Sequence, residues 1–197
     1  IIALQRIGMK PKKIVITGKI GSGKSSFIKI LKDKNQFGLR SADDDAKEII
    51  SNNIKDIDEI TRKICGEGID YRDVFFKNQE LKKEIEDFVY YKLYDYYASI
   101  KSDKDIFFEI PLYFESMGIA NKCGFIPDEV IYINVDKDIR YRRLKSSRNM
   151  TDQDIIDRDR YFVSDEFAIK KAHTIIDNNE SLERFQERII EYLDKKY

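Results

Sequence analysis

The stretch Lys13–Ser25, KIVITGKIGSGKS, decides the fold class of this chain. Its opening, KIVIT, is rich in β-branched side chains and stops at a glycine, which predicts a short buried strand. The residues that follow, Gly18–Ser25, match G-x-x-x-x-G-K-[ST] at every fixed position. A helix is predicted over Ser25–Lys34, so the motif lies between a strand and a helix, as a phosphate-binding loop requires.

The residue types of this loop have a chemical reason. Glycines allow backbone N–H groups to turn inward around phosphate oxygens, and the helix after the loop presents its positive end to the same anion. Lys24 is predicted to reach the β- and γ-phosphates, and the Ser25 hydroxyl to bind Mg²⁺. The alternative, a Gly/Ser-rich turn that matches by chance, needs neither the strand nor the helix. The residues predicted to bind ATP are Gly18, Gly21, Ser22, Gly23, Lys24, Ser25 and Ser26.

The rest of the chain alternates apolar runs with longer amphipathic stretches. Further strands are predicted at Phe37–Ala42, Asp105–Ile110, Glu129–Val135 and Thr174–Ile176. Helices are predicted over 45–97 with a break near Gly66–Gly68, over 137–146, over 150–171, and at the end of the chain. Strands that alternate with helices predict an α/β, three-layer fold in which helices cover both faces of a five-stranded parallel sheet.

Four polar or glycine positions fall at or just beyond the ends of predicted strands. They are Gly18, Asp43, Glu109 and Asp177. In open parallel sheets ligands bind beyond the carboxyl ends of the strands. The site is therefore predicted at that edge of the sheet.

Composition limits the other function classes. The 197 residues favour a single domain over 1–197, and 36 basic residues balance 36 acidic ones, so no overall attraction to nucleic acid or an anionic membrane is expected. Two cysteines and one histidine offer no zinc set or disulfide framework, which favours the cytoplasm. No apolar run is long enough to span a membrane. Met9 is a candidate native start, and the oligomeric state stays open.

Other phosphate-loop classes lack their motifs here. GTPase switches carry D-x-x-G and N-K-x-D, and Asn121–Gly124 has no final aspartate. The signature of ABC-type ATPases is also missing. A compact kinase remains by elimination, and a non-catalytic nucleotide-binding regulator stays open as an alternative from another class.

Between about Ile14 and Asn179 the sequence resembles the dephospho-coenzyme A kinase family. Thr17–Ser25 fits the family's T-G-x-I-G-S-G-K-[ST], and Glu109–Glu115, EIPLYFE, is similar to an acidic residue followed by I-P-L-L/F-F-E. Ser41–Asp43, Asp128–Val135 and Ala172–Asn178 stand where the family has D-A-D, D-x-V-I-x-V and A-D-x-V-I-x-N.

The resemblance implies a reaction and a layout. It implies transfer of the ATP γ-phosphate to the ribose 3′-hydroxyl of dephospho-coenzyme A, with Mg²⁺. It also implies a core of about 10–45, 103–138 and 172–197, a helical acceptor-binding region of about 46–102, and a lid of about 139–171.

Individual roles follow from the same resemblance. Asp43 would be the general base, with the alternative that Asp43–Asp45 is a solvated helix start capped by Asp44 or Asp45. Glu109, from its place at the carboxyl end of a predicted strand, would hold Mg²⁺ through water, act as a second candidate base or bind substrate, the alternative being a salt bridge. The remaining residues implied are Pro111 and Leu112 for substrate, Arg143 and Arg148 as lid arginines, and Asn178 near the adenine.

The departures from the family concern the acceptor. Ser41 replaces the first aspartate of D-A-D, and Tyr90, Tyr91 and Tyr94 stand where the family has His-Pro and an arginine. Tyr90 and Tyr94 are therefore predicted to bind substrate by stacking, although an aromatic stripe of this kind also serves packing. Phe162 falls near the position of a lid glutamine. A nucleoside or deoxynucleoside monophosphate kinase stays open as the second reading.

Overall fold

The computed structural model describes residues 10–197, so the suggested start at Met9 lies outside the described residues. In chain order the strands are β1 Lys13–Thr17, β2 Gly38–Ser41, β3 Ile106–Glu109, β4 Glu129–Asn134 and β5 Thr174–Asp177. The helices are α1 Lys24–Lys34, α2 Ala42–Asn52, α3 Ile54–Cys65, α4 Tyr71–Val74, α5 Gln79–Ser99, α6 Tyr113–Lys122, α7 Lys137–Arg148, α8 Asp152–Asp159, α9 Asp165–Lys171 and α10 Leu182–Lys196.

These elements form two compact units. The first comprises the chain up to Arg40, Lys101–Glu115 and Pro127–Tyr197, and it contains the sheet. The second comprises Ser41–Ile100 and Ser116–Ile126, and it is helical. Throughout the described chain, none of the helices combines the length and apolar character needed to cross a membrane.

The sheet of the first unit has the strand order β2-β3-β1-β4-β5. β1 pairs in parallel with both β3 and β4, and β4 pairs in parallel with β5. Ile16 lies opposite Glu109 on one side and Ile131 on the other. The predicted α/β fold with a five-stranded parallel sheet is confirmed.

Alternating side chains of the strands build a core on each face. Ile14 and Ile16 of β1 point to the same face because a strand has a period of two. They are fully buried among Phe27 and Leu31 of α1 and Phe185 of α10. The remaining members of this core are Phe37, Phe107, Ile131, Ile133, Ile176, Ile189 and Leu193. Helix α1 is thereby fixed under the carboxyl end of β1.

A polar cluster around the buried Glu129 lies at the amino-terminal ends of β4 and β5. Glu129, the first residue of β4, is 5% exposed and accepts hydrogen bonds from Thr174, Lys196 and Tyr197. Burial by itself raises the pKa of Glu129, but the bonds from Lys196 and Thr174 outweigh it and leave the pKa below its ordinary value. The cluster joins the beginnings of β4 and β5 to the last turn of α10.

The strand ends carry the predicted residues. Gly18 directly follows β1, Glu109 is the last residue of β3 and Asp177 the last of β5. Asp43 lies just after β2, in the first turn of α2. The placement of all four at or beyond carboxyl ends is confirmed.

The second unit packs helices α2 and α3 against α5. Ile57 of α3 and Leu81, Ile85 and Val89 of α5 form its buried core. The 21 residues of α5 begin at Asn78, whose side chain accepts a hydrogen bond from the Leu81 amide. This cap satisfies one of the free N–H groups of the first turn.

The helices differ from the prediction in three parts of the chain. The stretch 45–97 breaks at Asn53 and between α4 and α5 as well as at Gly66, and 150–171 is two helices because Thr151 and Ser164 each cap a new N-terminus. Helix α6 was not predicted at all. Its apolar residues surround the helix and Gly118 interrupts it, so its sequence has no single apolar face.

Candidate nucleotide-binding site

The backbone of the loop Gly18–Ser25 needs glycine at defined points. Gly23 has φ +111°, and a Cβ there would lie 2.5 Å from Asn178 Nδ2 and 2.8 Å from the Phe185 ring. Gly18 has φ +149°, and its Cβ would lie 2.9 Å from the Ile133 carbonyl oxygen. At both positions φ lies in the region that favours glycine, and a Cβ would also lie too close to a neighbouring atom. A side chain there would therefore strain the backbone and displace that neighbour.

Helix α1 begins at the loop with its N–H groups directed outward. Its N-cap is Gly23, which has no side chain to accept from the first turn. The free N–H groups of a helix start, together with the helix dipole, make an anion site. The loop and α1 therefore present backbone donors to one phosphate-sized region.

Lys24 opens α1 and folds back over the loop. It is 9% exposed, and its Nζ donates to the carbonyl oxygens of Gly18 at 2.7 Å and Lys19 at 3.2 Å. These carbonyls hold the ammonium at the mouth of the loop. A bound phosphate would offer a stronger, charged acceptor at the same place.

Ser25 and Ser26 follow in the first turn of α1. Ser25 is exposed and Ser26 half-buried. In the described part of the chain no three His, Cys, Asp or Glu residues group together to hold a metal. A hydroxyl such as that of Ser25 suits Mg²⁺, which takes one or two protein ligands and the rest from phosphates and water.

Asn178 is buried beside the loop and hydrogen-bonds to its backbone. It is 6% exposed, and its Nδ2 donates to the Ser22 carbonyl oxygen at 2.7 Å. The amide is therefore buried against the loop, and the place of Asn178 near the adenine stays a prediction. Its backbone N–H donates to Asn134 and continues the pairing of β4 with β5.

The two predicted arginines of α7 differ in their surroundings. Arg143 is half-buried and donates to the carbonyl oxygens of Asn178 at 2.8 Å and Glu180 at 2.7 Å. Burial, followed by the charge of Arg142, lowers the pKa of Arg143. Arg148 ends α7 and is exposed. The guanidinium of Arg143 thus holds the turn after β5, and its role as a lid arginine stays a prediction.

Arg140 is a residue beside the loop that the sequence analysis did not single out. It is 2% exposed, forms an ion pair with Asp159 of α8, and donates to the Ile20 carbonyl oxygen at 3.3 Å. It therefore joins α7 and α8 to the phosphate-binding loop. Its spacing of four residues from the buried Leu144 was the available signal, since that spacing places both on one helix face.

Lys19 has its own anchor. Its Nζ lies 2.9 Å from Asp165 Oδ1, and the buried Tyr132 hydroxyl donates to the same oxygen at 2.5 Å. Burial alone raises the pKa of Asp165, but the hydrogen bonds from Tyr132 and Lys19 lower it below its ordinary value. Asp165 is therefore ionised at neutral pH and holds a loop side chain to α9.

The end of β3 is held beside the loop. The Ile110 amide donates to the Ile16 carbonyl oxygen at 3.0 Å, and Thr17 Oγ1 donates to the Pro111 carbonyl oxygen at 2.9 Å. Glu109 is half-buried, as are Pro111 and Leu112. The first unit thus brings Glu109 and Pro111 to the strand that leads into the loop.

Asp43 belongs to the second unit. It is exposed in the first turn of α2, whose N-cap is Ser41. Asp44 pairs with Lys47, and Asp45 accepts from the Tyr97 hydroxyl at 2.7 Å. The three aspartates form a largely solvated helix start, as the alternative expected, but Asp44 and Asp45 do not cap it, since both follow Ser41 inside the helix. Asp43 presents its carboxylate to solvent.

The two tyrosines predicted to bind the acceptor are packed differently. Tyr94 is fully buried, its ring lies 5.5 Å from that of Phe125, and its hydroxyl is 2.6 Å from Ser116 Oγ. Tyr90 is half-buried and stacks on Tyr94 with ring centroids 6.0 Å apart. The substrate-binding prediction for Tyr94 is corrected, because no ring face is left for a ligand.

Comparison with known proteins agrees with this geometry. The sequence profile of the dephospho-CoA kinase family matches residues 13–184. A dephospho-CoA kinase of Fusobacterium nucleatum is 30% identical over 187 residues, which are 86% of this chain and 91% of that protein. The solved dephospho-CoA kinase of Campylobacter jejuni superposes with a TM-score of 0.67 at 26% identity, over 93% of this chain and 96% of that one.

A more distant neighbour agrees in fold alone. Shikimate kinase from Acinetobacter baumannii superposes with a TM-score of 0.57 at 15% identity, over 94% of this chain and 95% of that one. The P-loop kinase fold is thus shared beyond the family.

Proposed function

The chain belongs to the dephospho-CoA kinase family, and from that premise we propose that it transfers the ATP γ-phosphoryl group to the ribose 3′-hydroxyl of dephospho-CoA. The products are CoA and ADP, and the reaction is the last step of CoA biosynthesis. The observation that carries the proposal is the loop Gly18–Ser25, with Lys24 folded over its mouth. Because the reaction consumes ATP, we place it in the cytoplasm.

The nucleotide would bind through its phosphates. The backbone N–H groups of the loop and of the first turn of α1 would surround the β-phosphate, while Lys24 exchanges the Gly18 carbonyl for phosphate oxygens. In the transition state negative charge spreads over the transferred group, and a positioned ammonium stabilises it. Lys24 is therefore expected to act mainly on turnover.

Asp43 is the proposed general base. The 3′-hydroxyl would pass its proton to the Asp43 carboxylate as its oxygen forms a bond to the γ-phosphorus and the bond to the ADP oxygen breaks. Such a base contributes about 10²–10⁴-fold to the rate. An exposed carboxylate just beyond β2 supports this role.

Mg²⁺ is the proposed cofactor. Ser25 would supply a hydroxyl and Glu109 a carboxylate, the latter through water, and the remaining ligands would come from the nucleotide. When bound, the ion neutralises charge on the phosphate oxygens. The exposed Ser25 and half-buried Glu109 fit that partial role.

Residues 139–171 are the proposed lid, and residues 46–102 the proposed acceptor-binding region. Arg148, exposed at the end of α7, is the arginine proposed to contact the transferred phosphate. Pro111, Leu112 and Tyr90 are proposed to contact the acceptor, since each leaves part of its surface uncovered.

The test is ADP release from Mg-ATP in a coupled assay, with dephospho-CoA compared against a panel of nucleoside monophosphates. Mass and ³¹P NMR analysis of the product should show one added phosphate, on the ribose 3′ oxygen. Turnover with a monophosphate alone would replace the proposed acceptor. ATP binding without turnover on any acceptor would instead support a non-catalytic regulator.

A further inference from the structure

Residues 159–165, here called the clasp segment, connect α8 to α9 and are tied to other parts of the first unit by three side-chain contacts. Asp159 pairs with Arg140, which donates to the Ile20 carbonyl oxygen. The Val163 amide donates to Glu115 Oε1 at 2.6 Å. Asp165 pairs with Lys19. Two of the three contacts thus lead directly to the phosphate-binding loop.

Asp165 joins that loop to a rigid strand. Its Oδ1 receives both the Lys19 ammonium and the hydroxyl of Tyr132, a residue of β4 that is 4% exposed. Because Tyr132 is nearly fully buried, the hydrogen bond from its hydroxyl restrains the Asp165 carboxylate. The Lys19 side chain, 15% exposed, is therefore held at a fixed point on the clasp segment.

Lys19 also affects the catalytic ammonium through its backbone. Its carbonyl oxygen accepts a hydrogen bond from Lys24 Nζ at 3.2 Å. Whatever fixes the side chain of Lys19 restrains the carbonyl that orients Lys24. A continuous set of contacts thus runs from Tyr132 through Asp165 and Lys19 to Lys24.

The space between the clasp segment and the loop is too small for a nucleoside. The cavity there has a volume of about 10 Å³, about what one water molecule needs, and is lined by residues that include Gly18, Lys19, Pro111 and Phe162. Ligand pockets usually offer roughly 300–1,000 Å³. The contacts of Asp165 therefore serve the loop rather than a second ligand.

We propose that Asp165 is a positioning residue for phosphoryl transfer, which through Lys19 holds the loop so that Lys24 is presented to the transferred phosphate. The inference rests on the proposed function. Because a misplaced Lys24 loses contacts that strengthen in the transition state, the effect falls on kcat more than on KM for ATP.

The experiment measures steady-state kinetics of the full chain with dephospho-CoA for Asp165→Asn, Lys19→Met and the double variant. Each single variant is expected to lower kcat about tenfold while KM for ATP changes less than about threefold. The double variant should lose no more than either single one, because both changes break the same pair. Lys19→Arg keeps the charge and should stay within about threefold of the unmodified kcat.

A matched control separates this role from stability. Lys34 and Asp194 form a similar pair at 2.8 Å between α1 and α10, and Asp194→Asn should leave kcat unchanged. Both Asn variants should melt within about 4 °C of the unmodified protein, since water reaches part of each pair and such ion pairs contribute little. Unchanged kcat in Asp165→Asn, or losses that multiply in the double variant, would overturn the inference alone. No turnover in the unmodified protein would overturn the proposed function as well.

Discussion

Replacing Arg140 by methionine should destabilise the first unit far more than its place in an arginine-rich helix indicates. Arg140 is 2% exposed and its guanidinium pairs with Asp159. Methionine fills similar space but leaves the Asp159 carboxylate without its cation. The other oxygen of that carboxylate is buried and already has no hydrogen-bond partner within the described residues.

The size of the effect follows from the burial. Removing one partner of a buried ion pair costs about 3–5 kcal/mol. The Asp159 side chain is 19% exposed, so water reaches part of it and the lower end, about 3 kcal/mol, is expected. For a chain of this length that corresponds to a fall of about 6–12 °C in Tm.

Urea unfolding followed by circular dichroism measures the change in free energy of unfolding. Arg142→Met is the matched control, because Arg142 is exposed on the same helix and should lose less than about 0.5 kcal/mol. Asp159→Leu combined with Arg140→Met should recover much of the loss, since no buried charge remains. A loss below about 1 kcal/mol for Arg140→Met alone would refute the reasoning, because a solvated pair costs that little.

Three further predictions concern catalysis and pH. Lys24→Ala should lower turnover on the order of 10²-fold or more. The control is Lys29→Ala, which changes a lysine on the exposed side of α1. A near-normal kcat for Lys24→Ala would exclude a role in phosphate stabilisation. Asp43→Asn should lower kcat far more than it raises the Kd for ATP measured by calorimetry, and equal losses would point to a role in nucleotide binding or folding. Because the folded-state pKa of Glu129 is depressed, its stabilisation is present above the ordinary glutamate value of about 4.3 and is lost as the pH falls through the folded pKa. Glu129→Gln should therefore flatten the acid side of the stability–pH curve measured by urea unfolding, and an unchanged slope would contradict that assignment.

The parts of the structure that the sequence predicts well are set by local patterns. The loop Gly18–Ser25 depends on glycine conformations and on helix-start donors that the motif itself supplies. Short runs rich in β-branched residues identify the strands. Since parallel strands share one carboxyl edge, Glu109 and Asp177 could be assigned to that edge without coordinates.

What the sequence could not predict depends on partners far along the chain. Arg140 and Arg143 lie three residues apart on one helix, yet one pairs with Asp159 and the other binds the backbone after β5. Nothing in their spacing distinguishes these partners. Asn178 is comparable, because its amide finds the Ser22 carbonyl, which is 156 residues away.

Aromatic residues of α5 illustrate a second limit. Tyr90 and Tyr94 share one face by helical periodicity, which is equally typical of a binding groove and of a packed interior. Contacts with Phe125 and Ser116 show that Tyr94 belongs to the packed interior. These two residues come from α6 and its following turn. Because α6 itself has no clear periodicity, its partners could not be inferred.

The buried cluster around Glu129 lies at the edge of the sheet opposite the phosphate-binding loop. Glu129 and Thr174 each begin a strand, whereas Gly18, Glu109 and Asp177 follow or end one. A designer could therefore raise the heat tolerance of this enzyme at the amino edge while leaving the reacting groups untouched. Conversely, substitutions selected for a new acceptor would fall at the carboxyl ends of the strands and leave the cluster around Glu129 intact. The two ends of the strands can therefore vary separately, the amino ends with an effect on stability and the carboxyl ends with an effect on catalysis.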